Sequence, residues 1–160
     1  MRRCARILLP FMAVFNCAAC SGSGPGDLAP TASFHADVVP IFVASCSFAT
    51  TCHGDRNRGQ AGLYLGRSSN DGADADAVYE NLVGVKATIA PMIRVTPGDP
   101  GNSFLMHKLD RDQNTSGISC NGAGLNGGPC GDGMPVSGDE LSTAKRELVR
   151  IWIRDGAARN

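Results

Sequence analysis

Large aromatic side chains are scarce in this chain, with six Phe, two Tyr and one Trp among 160 residues. A core with so few of them must draw on aliphatic residues, cross-links or a bound group. Net charge is lacking as well. Fifteen Lys and Arg balance fifteen Asp and Glu, which removes the basic surface that nucleic-acid binding requires. The apolar stretch from Ile7 to Phe15 is too short to span a bilayer and contains Pro10. No internal repeat is visible. What the sequence has in quantity is glycine and proline, 20 and 9 residues, together with seven cysteines. That composition describes a loop-rich fold held by covalent or ligand staples.

The first twenty residues, MRRCARILLPFMAVFNCAAC, place a basic start before an apolar run and small residues. Residues 1–19 therefore read as a secretory signal. CAAC at 17–20 resembles a bacterial lipoprotein box, with Cys20 as the residue that takes the lipid, although Cys17 stands where the box usually has Leu or another aliphatic. Ordinary cleavage nearby, freeing the protein into the periplasm, is the alternative. SGSGPGDLAP follows and suits a flexible tether over 20–30. The expected location is the periplasm or outer membrane, with membrane attachment through the lipid. Residues 31–160 remain for one domain of ordinary size. Loss of the signal removes three Arg and leaves 12 basic against 15 acidic side chains.

Cys4 and Cys17 would leave with the signal and Cys20 would be acylated, so Cys46, Cys52, Cys120 and Cys130 remain. An even set in an oxidising compartment implies covalent pairing. Cys120 and Cys130 bracket the glycine-rich excursion SCNGAGLNGGPCGDG, which has almost no side chains able to form a core. A disulfide between them would staple it as a surface loop, contributing roughly 2–3 kcal/mol.

Helical periodicity is visible in four places. Phe34, Val38, Ile41 and Phe42 follow Ser33, a candidate N-cap, with Pro40 expected to kink or end its turn. AGLYLG reads as a short extended piece, and NDGADADAVYENLVG as a second helix carrying Val78, Tyr79, Leu82 and Val83. PGDPGN turns the chain into a third short helix with Phe104, Leu105 and Leu109, capped by Asn102 or Ser103. The last helix starts at Ser142, shows Ala144, Leu148, Ile151 and Trp152 as its stripe, and stops at Gly156. The fold class expected is mostly α, with long Gly-rich loops and terminal helices packed on each other.

The chemistry concentrates in CSFATTCHG, residues 46–54. In a c-type haem site two Cys thiols form thioethers and the His after the second Cys ligates the iron. The usual gap between the two Cys is two residues. Here it is five, which on a regular helix sets Cys46 and Cys52 about 240° apart, so SFATT must bulge for both to reach one ring. A Cys46–Cys52 disulfide also satisfies the spacing and the compartment. A zinc site using Cys46, Cys52, His53 and a distant ligand is a third reading. His35 and His107 read as partly exposed polar residues, with His107 a rival nitrogen ligand. Met106, on a helix, reads as core.

VVPIFVASC…CHG, then VTPGDPGNSFLMHKL, GMP and LSTAKRELVRIWIRDGA together resemble the cytochrome c-like domains of exported myxobacterial and planctomycete proteins. The likeness runs along almost the whole of 31–160. It implies a cytochrome c-like fold, a covalent haem c on Cys46 and Cys52, His53 as proximal ligand and Met134, in DGMPV, as distal ligand. A His/Met pair closes both axial positions and suits one-electron transfer to a partner protein rather than catalysis. The widened Cys spacing is where this chain departs from the pattern. A haem-free, disulfide-stabilised module keeping the same fold is the alternative function, with a peroxidase or other haem enzyme third.

Overall fold

The computed structural model describes residues 30–49, 51–57, 59–67, 72–124, 128–136 and 139–160. The signal segment 1–19, Cys20 and nearly all of the tether lie outside them. Among the described residues the fold is mostly helical, with no named strand and four α-helices, α1 (Val39–Cys46), α2 (Gly72–Leu82), α3 (Phe104–Asp110) and α4 (Thr143–Arg154).

Ser33 caps the first element as expected, its hydroxyl accepting the Ala36 N–H at 3.2 Å. Pro40 does not end that element. The chain starts as a wide π-helical turn, Phe34–Val38, and tightens into α1, leaving Pro40 in the first turn of the α-helix. Proline is tolerated there because its missing N–H falls where no helical acceptor needs it. α2 buries Ala75, Val78 and Leu82.

Ser103 occupies the N-cap position of α3 without capping it. Its hydroxyl donates instead to the Asp99 carbonyl at 2.8 Å and accepts the Thr96 N–H at 2.9 Å. It therefore closes the PGDPGN turn rather than the helix. α4 is capped by Ser142 and ends before Gly156. Its buried residues are Val149, Ile151, Trp152 and Ile153, while Ala144 is exposed. The apolar face is thus rotated towards the C-terminal half of the helix.

The expected packing of the two ends is present. α4 lies against the π turn and against α3. Phe34 stacks on Trp152 with ring centroids 5.0 Å apart and meets Tyr79 edge-on at 5.4 Å, so three of the few aromatics meet at one junction. Asn160 ties the ends together, accepting the Phe34 N–H on its side chain and the His35 N–H on its carbonyl, both at 2.8 Å.

The glycine-rich excursion is more than a stapled surface loop. Cys120 and Cys130 are bonded, and Cys130 is fully buried in a second small core with Ala87, Ala90 and Phe104. Side chains from α3 and the turn after it hold the loop by its carbonyls. Lys108 Nζ donates to Cys130 O at 2.8 Å, and Gln113 and Asn114 donate to Gly131 O. Backbone anchors of this kind leave no trace in apolar patterning, so the sequence shows only the cysteines. Replacing both cysteines by Ala is expected to lower stability by about 2–3 kcal/mol, read as a drop in urea midpoint. Non-reducing peptide mapping of the wild type should recover Cys120 and Cys130 in one linked fragment.

Candidate functional site

α1 delivers Cys46 at its last residue, and the chain then swings outward before returning at Cys52. Phe48 at the crest is 69% exposed. The bulge is closed by backbone bonds: the Cys52 N–H donates to Ala49 O at 3.0 Å, and the His53 N–H returns to Cys46 O at 3.1 Å. Gly54 is required at the exit, since a Cβ there would lie 2.7 Å from the Ser47 carbonyl oxygen. The backbone of His53 is thereby brought back to the end of α1.

Both thiols are free. Cys46 is buried, and its pKa is pushed up to about 12, first by burial and then by the neighbouring Cys52. His53 is also buried. Its Nδ1 lies 3.1 Å from the Leu63 carbonyl oxygen, which can only accept, so Nδ1 carries the proton and Nε2 is left with its lone pair. Nε2 has no hydrogen-bond partner among the described residues. Burial is the main cause that lowers the pKa of His53; the Leu63 bond opposes it, and the charges of Arg94 and Lys108 lower it further. The imidazole is therefore neutral at neutral pH. The strand-like segment after it is pinned by the Leu65 N–H on His53 O at 2.8 Å.

His107 is engaged at both ring nitrogens, Nδ1 with Asp112 Oδ1 at 2.8 Å and Nε2 with Gly101 O at 3.0 Å, so neither is free to ligate. His35 is exposed and holds Asn160 O through Nδ1. Met106 is 2% exposed in the main core, as its helical position implied. Met134 is half-buried against that core. Its N–H donates to Lys108 O at 2.8 Å, while Arg111 donates to Pro135 O, so the DGMPV loop is fastened along α3.

Lys108 connects the two ends of the site. Its charge bears on His53, its carbonyl holds Met134, and its ammonium reaches the disulfide loop. Burial pushes its pKa down to about 8, against the attraction of Asp132. The folded state therefore releases the proton before the unfolded chain does. The cost of burying the ammonium is present in full below pH 8 and disappears as pH rises towards 10.5, the ordinary value. Across that window the wild type should gain up to about 3 kcal/mol over Lys108→Met, measured as diverging urea midpoints.

Among the described residues no group of three or more His, Cys, Asp or Glu side chains is placed to hold a metal ion, which leaves the zinc reading without its donor set. A cleft of about 260 Å³ is lined by Arg56, Tyr64, Ala77, Glu80 and Asn81, and one of about 250 Å³ by residues of the 86–91 segment with Ser119 and Asn121. Neither includes Cys46, Cys52, His53 or Met134. What these residues offer a porphyrin is a donor set alone: two unbridged thiols, an imidazole whose Nδ1 is bonded to Leu63, and a thioether on a fastened loop. Leu63, Arg94 and Lys108 were not singled out by sequence reasoning. The one signal was a lone Arg94 between Ile93 and Val95.

The described residues form a mostly helical domain in which Cys46 and His53 are buried, Cys52 is half-buried and Met134 sits on a fastened loop. Comparison with protein-family models, curated proteins and solved structures gives no match.

Proposed function

We propose that this chain is an exported cytochrome c-like domain that carries one covalent haem and passes single electrons to a partner protein. The observation that carries the reading is His53. Its Nδ1–H rests on the Leu63 carbonyl, the arrangement that protein ligands adopt when the other imidazole nitrogen binds a metal, and two free thiols lie beside it in sequence. Cys46 and Cys52 would hold the group by thioether bonds, and His53 Nε2 and the Met134 sulfur would be its iron ligands. Bound there, the haem supplies a one-electron iron couple whose potential a Met ligand raises. The chain's own part is to keep His53 neutral and oriented, to bury Cys46, and to fasten Met134 through Lys108 and Arg111. With both protein ligands on the iron, the domain would serve as an electron carrier rather than an enzyme.

Intact mass and a reduced-state absorbance spectrum, after export from a host with c-type maturation, test it. One added haem and sharp α and β bands are expected. A haem-free chain, lighter by two hydrogens for each disulfide, would leave the alternative, a disulfide-stabilised module.

Residues 1–19 direct export, and lipidation of Cys20 anchors the domain at the periplasm or outer membrane. Cys20→Ala is then expected to move the protein from the detergent phase to the soluble fraction, or to block its processing. Equal partitioning of wild type and variant would remove the anchor.

A further inference from the structure

Arg94 is buried, 8% exposed, yet it has no carboxylate partner among the described residues. An apolar side chain would fill this place without the penalty of desolvating a cation. The guanidinium is instead surrounded by carbonyls. One terminal nitrogen donates to Asn81 O and Asn81 Oδ1, at 2.6 and 3.0 Å. The other donates to Ala61 O and Gly62 O, at 3.1 and 3.2 Å.

The two carbonyls it grips belong to a backbone that would not adopt this path unaided. Ala61 and Gly62 are both left-handed, with φ of +55° and +63°, a region disfavoured for Ala and tolerated where surroundings over-determine it. Leu63, the next residue, is extended, and its carbonyl receives His53 Nδ1. On the far side, the Tyr64 N–H donates to Asn81 Oδ1 at 2.8 Å, the same oxygen that Arg94 holds. The segment 61–64 is therefore gripped on both flanks of Leu63, with Arg94 common to both. Thr88 adds a bond from its hydroxyl to Ala61 O.

We propose that Arg94 is a positioning residue for His53: by clamping the Ala61 and Gly62 carbonyls and the Asn81 side chain, it aims the Leu63 carbonyl that fixes the imidazole as its Nδ1–H tautomer. The purpose of this clamp rests on the haem reading, since it leaves Nε2 as the iron-binding atom. The clamp itself does not need haem to be detected.

The test uses the full chain without haem, thiols reduced, with ¹⁵N-labelled histidine, and reads the tautomer of His53 by NMR at neutral pH; His35 and His107 serve as internal references. Wild-type His53 is expected with its proton on Nδ1. Arg94→Gln, folded by its amide spectrum, should lower the ratio of Nδ1–H to Nε2–H roughly tenfold, the worth of one net hydrogen bond. Arg94→Lys keeps the charge but loses the fork, and it should lower the ratio by less. An unchanged ratio in either folded variant overturns the role. So does a wild-type His53 protonated on Nε2, a result that needs no variant to fold. Haem attachment, followed separately by intact mass, distinguishes the two ideas: tautomer control without haem supports the clamp and removes the cytochrome reading, while haem with an Arg94-independent tautomer does the reverse.

Discussion

Trp152→Ala is expected to destabilise the folded chain by about 3–5 kcal/mol, the range for removing a large buried aromatic. Trp152 is 1% exposed, stacks on Phe34, and donates its indole N–H to Ala158 O at 2.9 Å. The same residue's carbonyl accepts the Ala157 N–H at 2.8 Å, closing the end of α4. Truncation leaves a cavity at the junction of the π turn, α2 and α4, and frees the Ala158 carbonyl. For a domain of this size that loss is a large share of total stability. Urea unfolding followed by far-UV circular dichroism measures it, since the variant has no tryptophan to report by fluorescence. Trp152→Phe should recover part of the stability. A cost below about 1 kcal/mol for Trp152→Ala would mean that the terminal helices do not form one core.

On the proposed cytochrome reading, Met134→Leu is expected to abolish the weak iron–thioether charge-transfer band of the oxidised, haem-loaded protein and to lower its potential. Leucine keeps the volume that Met134 places against the core, so the stability cost should stay below about 1.5 kcal/mol. The spectrum can thus be separated from packing. Persistence of the band in Met134→Leu would move the distal ligand to Met106 or Met92. Its absence in the wild type would mean that no Met sulfur ligates the iron. Met106 would have to leave the main core to serve, and Met92 would have to leave the cluster around Phe104.

Ser33, Ser142 and Gly156 could be placed from sequence because helix ends need local donors, acceptors and left-handed backbone that few residues supply. Ser103 misled for the same reason. Its hydroxyl had two local uses, and the PGDPGN turn took it in place of the helix cap. The period of α4 runs through Ala144, Leu148, Ile151 and Trp152, yet Ala144 is exposed while Val149 and Ile153, which lie off that stripe, are buried: the C-terminal half of the helix is covered on more than one face, which a single stripe does not show. Cys46, Cys52 and His53 were legible as candidates because thiols and imidazole at this spacing serve few ends. Met134 was legible only through resemblance.

By itself, the sequence determined the helical segments, the Cys120–Cys130 pairing and Cys46, Cys52 and His53 as candidates, since each depends on residue type and short spacing. The tertiary structure alone decided that His53 carries its proton on Nδ1, that His107 is occupied, and that Arg94 and Lys108 lie near the imidazole. Those facts depend on backbone carbonyls and buried charges brought together from distant parts of the chain. A carbonyl is the same in every residue, so nothing in the sequence marks the one at Leu63 that orients the site.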